Sequence, residues 1–122
     1  AEVAAYNLQA AFEFERIRDF IILHYHVQDR PGAFWQACRE MAVPESLTEK
    51  IELFRANGRI FRSADELFTE DGWLQVMAGQ GLMPQGYHPL ADILDDQELA
   101  GFLGSIRQGL QVAVLRTVAD NK

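Results

Sequence analysis

The 122-residue chain contains a single cysteine, Cys38, so no internal disulfide can brace it, which suits a reducing cytoplasm. Its neighbours, FWQACREM, read Cys38 as a small buried apolar residue rather than a reactive thiol. Cations are also scarce. With 11 Lys and Arg against 18 Asp and Glu the formal net charge is -7, which opposes nonspecific binding to nucleic acid or to an anionic membrane. No apolar run approaches the ~20 residues that cross a bilayer, and the N-terminus lacks a signal-peptide pattern. GxGxxG, GxxxxGKS/T and Gx(S/C)xG are all missing, so the common phosphate cradles and the nucleophile elbow are excluded.

What is present is largely apolar, at 48% of residues, which argues against disorder and for one compact domain over residues 1–122. The chain is organised around Arg18 to Val27, RDFIILHYHV, whose run from Phe20 to Leu23 must be buried. Upstream, YNLQAAFEFERIR has neither Gly nor Pro. Ala10, Phe14, Ile17, Ile21, His24 and Tyr25 keep helical spacing into the run. One long helix is therefore expected from about Tyr6 to His26, amphipathic at first and then apolar on nearly every side.

Downstream segments are shorter. A turn at Gln28 to Gly32 precedes a short helix over Ala33 to Met41, which Val43-Pro44 breaks. Ser46-Leu47-Thr48-Glu49 reads as a capping box opening a helix to Ala56, with Leu47, Ile51 and Phe54 inward and Asn57-Gly58 as a left-handed stop. Arg59 to Arg62 is an extended connection. A helical turn over Ser63 to Leu67 and an acidic loop, Thr69-Glu70-Asp71-Gly72, lead to a helix from Trp73 to Gln80 ending at Gly79 or Gly81. Leu82 to Pro89 should be irregular, and Leu90 to Leu94 one more turn. Asp95 to Glu98 repeats the capping-box pattern before a helix over Asp96 to Ala119. Its stripe is Leu99, Phe102, Leu103, Ile106, Leu110, Ala113 and Val114. The glycines at 101, 104 and 109 suggest close approach by another element. The expected class is all-α, an irregular bundle of about five helices around a long N-terminal one.

Candidate chemistry is sparse. His24 and His26 would share a metal on a strand, but on a helix they point about 200° apart, so each is expected to bond a carbonyl or carboxylate instead. His88 adds a third histidine in a loop. No metal site is expected. Phe34-Trp35 and Trp73 could wall a flat ligand with Glu66 at the rim, although core packing is the commoner use of such rings. Asp65, Glu66, Glu70 and Asp71 do not match a calcium loop and read as a solvated turn.

Several blocks in order, ERIRDFIILHYH, the FW after a Pro-containing turn, PESLTEKIELFRANGRIFR, ELFTEDGWLQVMAGQGLMP and YHPLAD, resemble the C-terminal part of a flavin-dependent tryptophan halogenase. The resemblance covers roughly Tyr6 to Asp95. It implies a larger N-terminal flavin module carrying the GxGxxG fingerprint, the FAD and the catalytic lysine and glutamate. It also implies a parent enzyme that turns reduced flavin, oxygen and halide into hypohalous acid. This chain, which starts at Ala1 without Met, is then expected to be a piece of something longer. It would help enclose an aromatic substrate, with no catalytic or cofactor-binding residue of its own.

The resemblance has a gap. Tryptophan-using members carry an acidic residue followed after three positions by Phe-Trp, whereas Asp65 to Gly72 reads DELFTEDG. Free tryptophan is thereby put in doubt as the parent's substrate. Glu66, Phe68 and Trp73 are the substrate-side candidates, because they fall in or beside the corresponding segment. The expected partners are the parent's flavin module, an aromatic small molecule and, for an isolated fragment, a second copy. The competing reading is a free-standing helical domain that binds another protein through an apolar face.

Overall fold

The computed structural model describes residues 2–63 and 66–120. It is all-α, with no strand among the described residues. The chain divides into two compact units, Ala1–His88 and Pro89–Lys122.

In the first unit, α1 (Glu2–His26) is contacted by α2 (Ala33–Glu40), α3 (Glu45–Asn57) and α4 (Glu70–Gly79). Leu23, Leu47, Ile51, Phe54, Trp73, Met77 and Leu82 form its core, with Phe20, Ile22 and Val27 packed against it. The bulky run at the end of α1 does reach this core, but it is not buried on every side. Successive helical residues turn by about 100°, so four in a row cannot share one face. Leu23 is fully buried and Phe20 and Ile22 partly so, whereas Ile21 is 53% exposed and faces away. Asp19, just before the run, is instead 1% exposed.

Two helix starts differ from the sequence expectation. The helix after Val43-Pro44 begins at Glu45, with Pro44 as its N-cap and the Pro44 carbonyl accepting from the amides of Leu47 and Thr48 at 3.0 Å each. Ser46 is therefore inside the helix and is not the cap. Its hydroxyl donates to Asp19 Oδ2 at 2.6 Å, a tertiary bond that outcompetes the local capping box. Likewise α4 begins three residues before Trp73, because the acidic stretch read as a loop is its first turn. Thr69 caps it by accepting from the Gly72 amide at 3.2 Å, and Glu70 and Asp71 sit where the helix dipole favours anions.

The stops follow the glycines. Gly58 ends α3 in the left-handed region, at φ 68°, donating to the Phe54 carbonyl at 2.8 Å. After α4, Gly81 (φ 88°) donates to Ala78 O and Leu82 to Met77 O at 3.0 and 2.9 Å, which is the Schellman pattern. It folds Leu82 back into the core. The following loop lies so close to α3 that a Cβ on Gly86 would sit 2.7 Å from the Ala56 carbonyl oxygen. Arg59 to Arg62 is irregular, as expected. The helical turn expected over Ser63 to Leu67 rests partly on Ala64 and Asp65, which lie outside the described residues. Cys38 is half-buried rather than buried.

The second unit is a 3-10 turn, Pro89–Ile93, followed by α5 (Asp96–Asp120). Both halves of the capping box form: Asp95 Oδ1 accepts from the amides of Gln97 and Glu98 at 2.9 and 2.8 Å, and the Asp95 amide donates to Glu98 Oε2 at 3.1 Å. Within this unit the stripe read from Leu99 to Val114 has no element to cover it. Leu99 is half-buried, and the described side chains after it are exposed. Within this unit a Cβ at Gly101, Gly104 or Gly109 would meet nothing within 4 Å.

Candidate functional site

The substrate-side candidates Glu66, Phe68 and Trp73 come together at the heart of the first unit, where α1, α3 and α4 meet. Phe20 of α1 stacks on Phe68, with centroids 3.9 Å apart and planes 16° from parallel, and meets the Trp73 ring edge-on at 4.9 Å. Trp73 is fully buried, and its Nε1 has no hydrogen-bond partner among the described residues.

A buried cation joins this aromatic cluster to Glu66. Lys50 Nζ donates to Glu66 Oε1 and Oε2 at 3.0 and 3.3 Å and to the Phe61 carbonyl at 3.1 Å, and it lies 4.2 Å from the Trp73 ring centroid. Glu66 is 2% exposed and also accepts from the Ser63 amide at 3.2 Å, while its carbonyl accepts from the Arg62 guanidinium. Glu66 is thus an internal counterion and not a member of a solvated turn. Of the three candidates only Phe68 keeps exposed surface.

A second polar node lies beside it. Asp19 accepts from Ser46, from Arg18 Nη2 at 2.8 Å and Nε at 3.1 Å, and pairs with Arg16 Nη2 at 3.3 Å. It ties α1 to α3. Sequence reasoning missed Lys50 and Asp19, although Lys50 carried a signal: it occupies the i+3 position between Leu47 and Phe54, on the stripe that faces inward.

The histidines diverge as their helical spacing requires. His24 Nδ1 lies 2.7 Å from Phe20 O, and His26 Nδ1 lies 3.1 Å from Cys38 O. Among the described residues no group of three or more His, Cys, Asp and Glu converges to hold a metal ion. Trp35 lies away from the Trp73 cluster, stacked on Tyr25 with centroids 6.0 Å apart. No helix of the described residues is long and apolar enough to cross a membrane.

Fold and site define a helical module braced by a buried ion pair. The chain belongs to the tryptophan halogenase family, whose model, described as "Tryptophan halogenase", matches residues 1–96. It is 27% identical over 101 residues to tryptophan 7-halogenase KtzQ of Kutzneria sp. (strain 744), covering 70% of this chain and 19% of KtzQ. Tryptophan 7-halogenase RebH of Lentzea aerocolonigenes gives 26% identity over 102 residues, 70% of this chain and 19% of RebH. Two solved structures superpose closely. Xcc4156, a flavin-dependent halogenase from Xanthomonas campestris, has a TM-score of 0.88 at 50% identity, covering 93% of this chain and 23% of its own. BrvH, a flavin-dependent halogenase from Brevundimonas sp. BAL3, has a TM-score of 0.86 at 42% identity with the same coverages. The chain spans about a fifth of the length of the curated relatives it matches.

The residues present do not fit a flavin dinucleotide. Its phosphates need free amides at a helix start, but the first turns of α3, α4 and α5 carry Glu45, Glu70 with Asp71, and Asp96 with Glu98. Thr69 and Asp95 already occupy the leading amides of α4 and α5. The start of α2 has one glycine, Gly32, entered from Pro31, and no second glycine to let a phosphate approach.

Proposed function

We propose that residues 1–122 are the substrate-side C-terminal module of a larger flavin-dependent halogenase, inactive alone, which positions an aromatic small molecule and excludes water from it. The observation that carries this reading is the 50% identity and 0.88 TM-score to Xcc4156 over 93% of this chain but only 23% of that enzyme. In this reading FAD belongs to an N-terminal module of the parent, and the location is cytoplasmic. The half-buried Phe68 ring, with the exposed Leu67 next to it in the chain, gives an apolar face toward an aromatic ring, while Glu66 and Trp73 act behind that face by holding it in place.

Module and parent need a shared surface. Phe102, Leu103, Leu110 and Val114 of α5 are each more than half exposed, more apolar surface than a solvated helix requires. The same face supports the second reading, a free-standing interaction domain, and in an isolated chain it would favour a symmetric dimer.

A chimera in which this chain replaces the matching C-terminal segment of Xcc4156 tests the first reading. Given reduced flavin, oxygen, bromide and a panel of indoles and phenols, it is expected to retain FAD and to form a brominated product seen by mass spectrometry. A chimera that retains FAD and brominates nothing on the panel argues against it.

A further inference from the structure

We propose that the cleft where the end of α1 faces the start of α2 binds a planar aromatic carboxylate that carries no ammonium group. The cleft encloses about 410 Å³, room for a bicyclic ring with a short acidic side chain. One wall is aromatic. Tyr25 and Trp35 lie 19° from parallel, and Phe34 meets both edge-on, at 6.5 and 5.0 Å, which fixes the ledge they form.

The charge is supplied by Arg30, whose Cζ lies 5.0 Å from the centroid of the Trp35 ring. A guanidinium over a ring face keeps its edge N–H groups available for a bidentate carboxylate. No ion pair among the described residues engages it. Its backbone is held at both ends: the Arg30 amide donates to Gln28 Oε1 at 2.5 Å, and Arg39 Nη1 donates to the Arg30 carbonyl at 2.8 Å. Gln28 is 2% exposed and also donates from Nε2 to the Tyr25 carbonyl at 3.4 Å, so one buried side chain ties together the backbone positions that carry the cation and one ring of the ledge. Such prior organisation reduces the ordering cost of binding.

His24 defines the remaining contact. Its Nδ1 lies 2.7 Å from the Phe20 carbonyl oxygen, which can only accept, so Nδ1 carries a proton. The neutral ring then has Nε2 as an acceptor, suited to an indole N–H or a phenol O–H. Among the described residues no Asp or Glu lines the cleft, so the ammonium of an α-amino acid would lack a counterion there. The ligand class is therefore an indole or hydroxyphenyl acid. This inference does not depend on the halogenase reading.

Calorimetric titration of the 122-residue chain with indole-3-acetate tests it, with indole-3-acetamide and tryptophan as comparators. One saturable site is expected for the acetate, and binding at least about tenfold weaker for both comparators, since a charge-assisted bond lost or an ion left unpaired amounts to that much. Arg30 is exposed, so Arg30→Gln is expected to leave the thermal melt unchanged while lowering acetate affinity about tenfold and leaving the weak acetamide binding unaltered. Absence of saturable acetate binding at millimolar concentration overturns the proposal. So does equal affinity for acetate and acetamide, for acetate and tryptophan, or for the parent chain and a folded Arg30→Gln variant.

Discussion

Lys50 places its ammonium 4.2 Å from the centre of the Trp73 ring while donating to both carboxylate oxygens of Glu66. With the Phe61 carbonyl as a further acceptor, a cation in the middle of the module is surrounded by a ring face, an anion and a carbonyl dipole. The arrangement links α3, α4 and the 61–66 connection, and through Trp73 and Phe20 it also reaches α1. Because the Trp73 indole N–H has no partner among the described residues, the polar order they show at this centre rests on Lys50 and Glu66.

Breaking that pair on one side is expected to be costly. Lys50→Met would leave the Glu66 carboxylate buried without a counterion, a loss of about 3 to 5 kcal/mol. Lys50→Met with Glu66→Leu removes both charges and is expected to lose distinctly less. Urea melts of the two variants check this; a double variant as unstable as the single would mean that packing, not uncompensated charge, sets the cost.

The end of α1 separates burial from hydrophobicity at neighbouring positions. Leu23 is fully buried in the core, so Leu23→Ala is expected to cost about 2 to 5 kcal/mol. Ile21, half exposed and two residues earlier, is expected to tolerate Ala with a loss of about 1 kcal/mol or less. Denaturant midpoints for the pair read the difference directly.

These contrasts show what was legible in the sequence. Helical period, Gly58 and Gly81 as stops and the Asp95 box are local, and local chemistry decided them. Tertiary partners overrode local patterns elsewhere. Ser46 has the spacing of a cap, yet a buried carboxylate 27 positions earlier takes its hydroxyl. Ile21 belongs to the most apolar run, but α2, α3 and α4 leave its side of α1 uncovered. Glu66 was picked out by its place in a resembling segment, and its partner Lys50 could not be assigned before the chain brought positions 16 residues apart together. The cleft beside Trp35 was visible only as a pair of aromatic residues, because its cation and histidine come from different elements.

The loop after Leu82 gives a steric test. A methyl at position 86 would stand 2.7 Å from the Ala56 carbonyl oxygen, and neither backbone can yield without shifting the end of α3. Gly86→Ala is expected to destabilise by about 1 to 3 kcal/mol, the usual range for overpacking. A thermal melt equal to that of the unmodified chain would show that the loop moves freely off α3.

The glycines of α5 allow the helix's partner to be sought without knowing it. Each costs up to about 1 kcal/mol of helix propensity, and an added Cβ at Gly101, Gly104 or Gly109 meets nothing within 4 Å. In the isolated chain, replacing all of them with Ala is therefore expected to raise helicity and stability, measured by circular dichroism on heating. In the full-length protein the expected sign reverses if another module lies against this face, because the methyl groups would occupy the space that glycine leaves for close backbone approach. The comparison of melting temperatures in the two contexts decides between the readings of the chain. Stabilisation in the isolated chain with loss in the full-length protein supports a docked module, whereas stabilisation in both leaves the glycine-bearing face to solvent and favours a free-standing helix.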